Sequence, residues 1–299
     1  MSFPVSFMGL RYATILLFGR ITSYGQVIML SRQPDSINTI IEQAPNMPCF
    51  VKTIEMQKGY VDVLHKHCWH QLILPLQGLL QTEANGALFL VPHTTALFVP
   101  AGVIHESVAI TDTCFIGVYL NPMCGRDYGA TIKPVAMSAF LRELVLTIRK
   151  QCVFNTSMNV EPIALPTIQR LLEVLYDQIN SAEGQTFKLL IPQDRRLKLI
   201  FEHLTQTPAL DLSLAKWGEM VGASERTLSR LFVREFGSSF GLWRQHLRLI
   251  YSLSLLATNL SIQNVAHQIG YQNDSSYIKA FKERFGMTPQ RFRLGDHGI

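Results

Sequence analysis

The chain has 299 residues, a length that allows about two domains, and 47% of the residues are hydrophobic. This composition excludes global disorder, and no apolar run reaches the roughly 18 residues needed to cross a bilayer. The net charge of +5 comes entirely from residues 191–299, which carry 14 Lys and Arg against 9 Asp and Glu, and this basic third suggests a module that binds a polyanion.

The cysteines argue against a disulfide framework. They are five in number, widely scattered, and none belongs to a Cys-x-x-Cys pair, which also disfavours a structural zinc site. We therefore expect a cytoplasmic protein in a reducing compartment, without membrane association. The five residues are Cys49, Cys68, Cys114, Cys124 and Cys152.

Residues 1–45 show no clear periodicity and are interpreted as a poorly defined N-terminal extension. Over residues 46–130, short alternating or β-branched runs are broken by Gly and Pro, which predicts many short strands. Such strands with frequent turns are typical of a small barrel or sandwich. The clearest runs are Phe50–Met56, Gln71–Leu76, Ala87–Val91, Ala96–Val99 and Cys114–Leu120.

Helical spacing replaces this pattern over residues 131–190. Apolar residues recur three and four positions apart from Phe140 to Ile148 and again from Ile168 to Ile179, which predicts two amphipathic helices. We expect these helices to pack on the barrel or against a second subunit of a homodimer. Residues 183–186, together with Pro192, are the predicted linker.

Residues 191–299 are helical almost throughout and contain a repeat. At an offset of 49 residues, Phe236-Gly237 aligns with Phe285-Gly286, and in each copy an apolar helix leads through a glycine turn into a second helix. Ser224 is placed to cap the first of these second helices, and Asp274 or Ser275 to cap the other. This is the helix-turn-helix pattern, present twice and joined by an apolar helix over residues 239–257.

The region from Leu212 to Arg293 resembles the DNA-binding domain of the AraC/XylS family of bacterial transcription regulators. The resemblance is carried by Ile269-Gly270-Tyr271-Gln272 and by the stretch from Phe281 to Arg293, Phe-Lys-Glu-Arg-Phe-Gly-Met-Thr-Pro-Gln-Arg-Phe-Arg. It implies an operator in double-stranded DNA as the partner, and RNA polymerase as a further partner if the protein is an activator.

Polar side chains share one face of each second helix. Arg226, Ser229 and Arg230 lie at i, i+3 and i+4, and arginine can donate twice to guanine, so the two arginines are the leading base-contacting candidates. Alternatively, each of these arginines contacts a phosphate or lies on a solvated face of the helix. The corresponding face of the second motif carries shorter or less discriminating donors and is expected to contact bases weakly. These donors are Ser275, Ser276 and Lys279.

Four further residues are candidate phosphate contacts or, equally, ordinary surface residues. They are Thr227, Arg234, Arg244 and Lys282. Trp217 and Trp243, in contrast, are predicted to lie in the core rather than to stack on bases.

A histidine pattern marks the N-terminal region. Gly59-x5-His65-x-His67-x3-Gln71-x6-Gly78 is followed by Pro100-x-Gly102-x2-His105, which resembles the two motifs of the cupin barrel, with Gln71 where metal-binding cupins usually carry Glu. Strand alternation predicts that residues 65, 67, 69 and 71 share one face, whereas His70 points to the other. A turn at residues 100–102 would bring His105 to the same cavity.

Three imidazoles can bind one divalent transition metal, with His65, His67 and His105 as ligands. A neutral amide at Gln71 is a poorer ligand than a carboxylate, so the alternative is that these four residues bind an organic effector or fill the barrel. Within the AraC/XylS family, His-x-His-x-Trp-x-Gln-Leu together with Pro-Ala-Gly-Val-Ile-His resembles regulators with a small cupin sensing domain.

The predicted fold class is therefore α+β and multidomain, with a small cupin-like barrel and an all-α C-terminal domain holding two helix-turn-helix motifs. The predicted domains are a barrel over 46–130, a helical connector over 131–190 and a DNA-binding domain over 191–299. We expect a transcription regulator that responds to a small-molecule or metal effector, with no catalytic residue. The alternative, a cupin metalloenzyme of dioxygenase or isomerase type, leaves the basic helical repeat without a purpose.

Overall fold

Ten short strands and ten helices make up the part of the chain that the computed structural model describes, which is residues 37–43, 45–124, 126–151, 165–181, 184 and 187–294. The strands are β1 Cys49–Met56, β2 Val61–His65, β3 His70–Gln77, β4 Leu79–Ala84, β5 Ala87–Pro92, β6 Thr95–Val99, β7 His105–Ala109, β8 Thr113–Leu120, β9 Lys133–Ala136 and β10 Lys188–Leu190. The helices are α1 Ile37–Gln43, α2 Ala139–Gln151, α3 Leu165–Ser181, α4 Arg195–Gln206, α5 Leu214–Val221, α6 Glu225–Phe236, α7 Phe240–Leu256, α8 Ile262–Gln268, α9 Asp274–Phe285 and α10 Pro289–Leu294.

The strands form two antiparallel five-stranded sheets. Sheet A has the order β1-β8-β3-β6-β9, and sheet B the order β10-β5-β4-β7-β2. The apolar side chains between the sheets form one core, which includes Ile73, Phe89 and Phe115. This arrangement confirms the predicted N-terminal β-barrel followed by an all-α domain.

Each sheet also buries its outer face. Helices α2 and α3 cover sheet A, where Leu72 and Phe98 pack with Leu144 and Leu175. The C-terminal helices cover sheet B, where Leu88, Leu90 and Val108 belong to the same buried cluster as Leu197 and Phe201 of α4. Sheet B therefore lies between the interior of the barrel and the helical domain.

The five predicted strand runs and both predicted amphipathic helices are confirmed. The region 131–190, predicted as helical, also contributes β9 to sheet A and β10 to sheet B. These two strands are only four and three residues long, too short to show an alternating pattern, and are defined by pairing with β6 and β5. The predicted extension over 1–45 lies largely outside the described residues, as do residues 183, 185 and 186 of the predicted linker.

Two helix-turn-helix motifs are present, α5 with α6 and α8 with α9. Ser224 caps α6 as predicted, because its hydroxyl accepts a hydrogen bond from the Thr227 N–H. The prediction of Asp274 or Ser275 as the second cap is wrong, because the side chain of Asn273 accepts from the Ser276 N–H at 2.8 Å. The 49-residue offset from Ser224 leads to Asn273, so the repeat itself contained the correct signal.

In the part of the chain that the structure describes, no helix combines the length and the apolar character needed to span a membrane.

Candidate nucleic-acid interface and histidine cluster

Helix α6 separates an apolar face from a polar one. Leu228, Leu231 and Phe232 are buried in the domain core, whereas Arg226, Ser229 and Arg230 are exposed. The cap at Ser224 begins the helix immediately before this polar face. Two guanidinium groups and one hydroxyl are therefore presented together on one side of the helix.

Two of the candidate phosphate contacts on α6 already have partners within the protein. The Thr227 hydroxyl lies 2.8 Å from the Ser224 hydroxyl, and Thr227 itself is half-buried. Arg234 is exposed near the end of α6 and contacts the Glu235 carboxylate at 3.3 Å.

Helix α9 repeats the arrangement with smaller side chains. Tyr277, Ala280, Phe281 and Phe285 are buried. Four of the predicted DNA-contacting residues are exposed on the rest of the helix, and they are Ser275, Ser276, Lys279 and Lys282. The Lys279 ammonium lies 4.0 Å from the Glu283 carboxylate, an exposed pair of small energetic worth.

Two predictions near these helices have clear outcomes. Trp217 and Trp243 are buried, at 0% and 4% exposure, which confirms them as core residues. Arg244 does not lie free on the surface, because its guanidinium donates to the Leu212 carbonyl at 3.1 Å and pairs with Asp211 at 2.8 Å. These contacts hold Arg244 within the domain, and its phosphate contact stays a prediction.

The three predicted histidines meet at one end of the barrel. His65 pairs with His105 across β2 and β7, and their ring centroids lie 4.3 Å apart. His67 lies in the connection between β2 and β3, and its ring centroid is 5.2 Å from that of His105. The ligand nitrogens of the three imidazoles lie within 4.8 Å of one another.

The route by which these residues meet differs from the prediction. Strand β2 ends at His65 and β3 begins at His70, so residues 65 to 71 do not alternate along one strand. Trp69 packs with Ile41 of α1, Phe50 of β1 and Tyr119 of β8. The argument from one continuous strand was therefore wrong, although it named the histidines and the glutamine that come together.

Backbone carbonyls fix the tautomer of all three histidines. The Nδ1–H groups of His65, His67 and His105 donate to the carbonyls of Val63, Trp69 and Val103, at 2.7, 2.6 and 3.0 Å. Burial lowers the pKa of His67, and it lowers the pKa of His105 to about 4. Both rings are therefore neutral near pH 7, with an unshared electron pair at Nε2.

Gln71 completes a group of acceptor atoms. Its Oε1 lies 3.0 Å from His67 Nε2 and 3.2 Å from His105 Nε2, while its Nε2 donates to the Tyr119 hydroxyl at 3.1 Å. Neutral imidazole nitrogens cannot donate to Oε1, so three acceptors face one another. A cation among them would resolve the conflict, and so would a rotated Gln71 amide that donates to both imidazoles and accepts from Tyr119.

The residues present thus fit a divalent transition metal, and they equally fit a metal-free hydrogen-bond network.

Two residues of this site escaped the sequence analysis. Tyr119, on the neighbouring β8, is buried, and burial raises the pKa of its hydroxyl. Asp62 places a carboxylate 3.9 Å from His65 Nδ1 and supplies the negative charge that Gln71 lacks. Asp62 lies in β2, shortly after the turn at Gly59, and nothing in the sequence around it marked it as a site residue.

Two capped helices with exposed polar faces, held on a basic domain beside a barrel, define a helix-turn-helix DNA-binding protein. A family profile described as a helix-turn-helix domain matches residues 217–295. The HTH-type transcriptional regulator NimR of Escherichia coli (strain K12) is 32% identical over 231 residues, which cover 77% of this chain and 81% of NimR. The thermoregulatory protein LcrF of Yersinia pestis is 23% identical, with coverage of 77% and 90%.

A solved structure of ToxT from Vibrio cholerae O395 aligns at 12% identity with a TM-score of 0.36, covering 84% of this chain and 99% of that one. The sequence relationships identify the protein as a transcription regulator. The chain belongs to the AraC/XylS family of helix-turn-helix regulators. It is accordingly a regulator and not an enzyme.

Proposed function

We propose that this regulator binds an operator sequence by inserting α6 and α9 into successive major grooves of one DNA duplex. The observation that carries the proposal is the polar face of α6, where Arg226, Ser229 and Arg230 are exposed together above a buried apolar face. An α-helix fits the major groove, and arginine can donate two hydrogen bonds to the O6 and N7 atoms of guanine.

The two helices contribute unequally in this proposal. Helix α6 supplies most of the sequence discrimination, because two arginines outweigh the serines and lysine of α9. Ser275, Ser276 and Lys279 make the weaker base contacts, while Thr227, Arg234 and Lys282 contact phosphates. Exposed cations near the duplex strengthen binding to any sequence and make it depend on salt.

Selection of bound duplexes from a random-sequence pool tests this proposal with the full-length protein. The expected result is an enriched motif with a strongly specified half-site and a weaker half-site about one helical turn, or ~34 Å, away. Enrichment of no sequence over the starting pool, with folded protein, would contradict sequence-specific binding.

In our proposal, the effector that controls the regulator is a metal ion or a small organic molecule, which binds at His65, His67, Gln71 and His105. The acceptor atoms that face one another in this cluster support a divalent transition metal. When bound, the metal would supply a positive charge that draws the three imidazoles and the Gln71 oxygen together.

The metal content of untagged full-length protein, measured by elemental mass spectrometry, distinguishes the two kinds of effector. About one equivalent of metal that is lost in His67→Ala supports the metal. Protein that lacks metal but still selects DNA supports an organic effector and the rotated Gln71 amide. His203→Ala is a suitable control, because this histidine lies on α4 in the helical domain.

Strand β7 offers a physical route from the cluster to the DNA-binding helices. Its first residue, His105, faces the cluster, whereas Val108 belongs to the buried contact with the helical domain. We propose that occupancy shifts β7 and the helices packed on the barrel, and so changes how the helix-turn-helix motifs are presented. Coupling of this kind is typically worth ~1–3 kcal/mol.

The proposal also includes the compartment in which the protein acts and the proteins that it binds. We propose that it acts in the cytoplasm as a homodimer joined through α2 and α3, and that it contacts RNA polymerase if it activates transcription. The free thiols at Cys68, Cys114 and Cys124 suit a reducing compartment.

A further inference from the structure

Arg248 lies on α7, the helix that joins the two helix-turn-helix motifs, and it bonds both the segment before the first motif and the turn of the second. Its Nε donates to the Pro208 carbonyl at 2.8 Å, and its Nη2 lies 3.3 Å from the carbonyls of Ala209 and Leu210. These three residues lead into the first motif. Its Nη1 donates to the carbonyl of Gly270, in the turn of the second motif, at 3.4 Å.

The turn of the second motif contacts the segment before the first motif at this point. Gly270 has a φ of +84°, and a Cβ built on it would lie 3.0 Å from the Ala209 Cα and 3.0 Å from the Arg248 guanidinium carbon. The turn of the second motif is therefore packed against the segment before the first, with no room for a side chain. Only glycine satisfies both the backbone angle and the contact.

The neighbouring arginine on α7 provides a contrast. Arg244 lies one helical turn earlier and bonds Leu212 and Asp211, which lie in the same segment before the first motif, and it makes no bond to the second motif among the described residues. In the second motif, Tyr277 donates to Ser252 of α7 at 3.0 Å and Arg284 donates to His246 of α7 at 3.1 Å. Each of these contacts attaches only one of the two parts to α7, whereas Arg248 bonds both the segment before the first motif and the turn of the second.

We propose that Arg248 is a specificity-determining residue that sets the spacing of the two half-sites the protein accepts. This inference rests on the proposed binding of α6 and α9 to one duplex. One base pair of extra spacing moves the second half-site by about 3.4 Å along the duplex and rotates it by about a tenth of a turn. A fixed separation of the motifs rejects such a site, whereas a loosened one tolerates it.

Arginine suits this role because its planar guanidinium has five donors in a fixed arrangement, which can bond several carbonyls at once. A direct phosphate contact is the other use for an arginine in such a domain. It does not apply here, because only 11% of the Arg248 side chain is exposed. The residue therefore acts through the position of the motifs and not by touching DNA.

The test uses the duplex selected by the wild-type full-length protein and duplexes with one base pair added or removed between the half-sites. We expect the wild type to bind the selected spacing at least about tenfold more tightly than either altered spacing. Arg248→Lys, which keeps the charge, should reduce this preference to less than about threefold while its affinity for a duplex holding only the α6 half-site stays unchanged. Arg244→Lys is the matched control and should keep the wild-type preference.

Gly270→Ala perturbs the same contact from the other side while leaving Arg248 in place, and it should also lose the spacing preference. An unchanged preference in a folded Arg248→Lys protein would overturn the inference. Loss of a cooperative melt in both variants would equally overturn it, because Arg248 would then be a stability residue. Failure of the wild type to select any sequence would instead contradict the proposed function.

Discussion

Gly218 faces Ala223 across the turn of the first helix-turn-helix motif so closely that a methyl group on Gly218 would clash with the Ala223 carbonyl oxygen. The Ala223 N–H donates back to the Gly218 carbonyl at 2.9 Å, which fixes the turn. In the second motif, Tyr271 N–H donates to Ala266 in the same way, and an alanine is accepted there. The turn before α9 is two residues longer than the turn before α6, so the two turns follow different paths.

Gly218→Ala should therefore lower the free energy of unfolding by about 1–3 kcal/mol, because the added methyl group must displace backbone in a packed turn. Gly241→Ala is the matched control, since a Cβ there meets nothing within 4 Å and the residue lies within α7. That variant should change stability by less than about 0.5 kcal/mol, because the added methyl group meets open space in the exposed first turn of α7. Chemical denaturation of both proteins gives the comparison, and equal effects would contradict this account of the turn.

His246 should make the protein less stable in mild acid. Burial, together with the nearby Arg284 guanidinium, lowers the pKa of His246 to about 4, whereas an unfolded histidine titrates near 6.5. Between these values the unfolded chain binds more protons than the folded one, so stability falls as the pH is lowered from about 6.5 towards 4. This one group can contribute a slope of up to about 1.4 kcal/mol per pH unit.

His246→Gln isolates this contribution, because glutamine can still accept the hydrogen bond from Arg284 but does not titrate. Denaturant midpoints measured at several pH values should show a shallower fall for the variant than for the wild type. Identical pH profiles would mean that His246 has the same proton affinity in the folded and unfolded chains.

The arginines of α6 should affect specific binding more than general binding. Arg226→Ala or Arg230→Ala should cost ~1–3 kcal/mol on the selected operator and relax the preference at one base position, as expected of a bidentate contact to guanine. Titrations on the operator and on a scrambled duplex at the same salt concentration measure this. An equal loss on both duplexes would assign that arginine to a phosphate.

Gln71→Glu should strengthen metal binding, because a carboxylate brings the compensating charge that the amide lacks. We expect at least about a tenfold gain in zinc affinity in competition with a chelator of known affinity. Gln71→Leu, which removes the oxygen, is the control and should bind zinc less tightly than the wild type. A Glu variant no tighter than the wild type would favour the metal-free network.

His67→Ala should leave operator binding intact and abolish the response to the effector. The ring lies in the barrel, remote in the fold from α6 and α9, so the DNA contacts have no reason to change. Operator affinity with and without added zinc, in wild type and variant, measures both properties. A normal zinc response in His67→Ala would remove this histidine from the effector site.

Much of the fold could be predicted because its signals are local. Five strands of the barrel, the two amphipathic helices and both helix-turn-helix motifs each produce a pattern of their own, whereas β2, β4 and β7 were not among the predicted runs. Strands β9 and β10 could not be found this way, since each is defined by its partner strand in the sheet. Asn273 was missed for a different reason, as two neighbouring residues also have capping side chains.

The candidate site was predictable as a set of residues and not as a geometry. His65, His67, Gln71 and His105 were recognised by spacing, although the chain leaves the strand between His65 and His70. Tyr119 and Asp62 join them only through tertiary packing, which carries no local signal. Arg244 is the opposite case. Its residue type predicts an exposed side chain, but it contacts the segment around Asp211, which only the fold brings close to it.

Hydroxyl-radical footprinting on the selected operator tests most directly the central claim that α6 and α9 contact one duplex in successive major grooves. The account predicts protection of two patches on one face of the DNA, about one helical turn apart, and loss of one patch in the Arg226→Ala, Arg230→Ala double variant. A single protected patch with the wild type, or two patches that persist in the double variant, would contradict it.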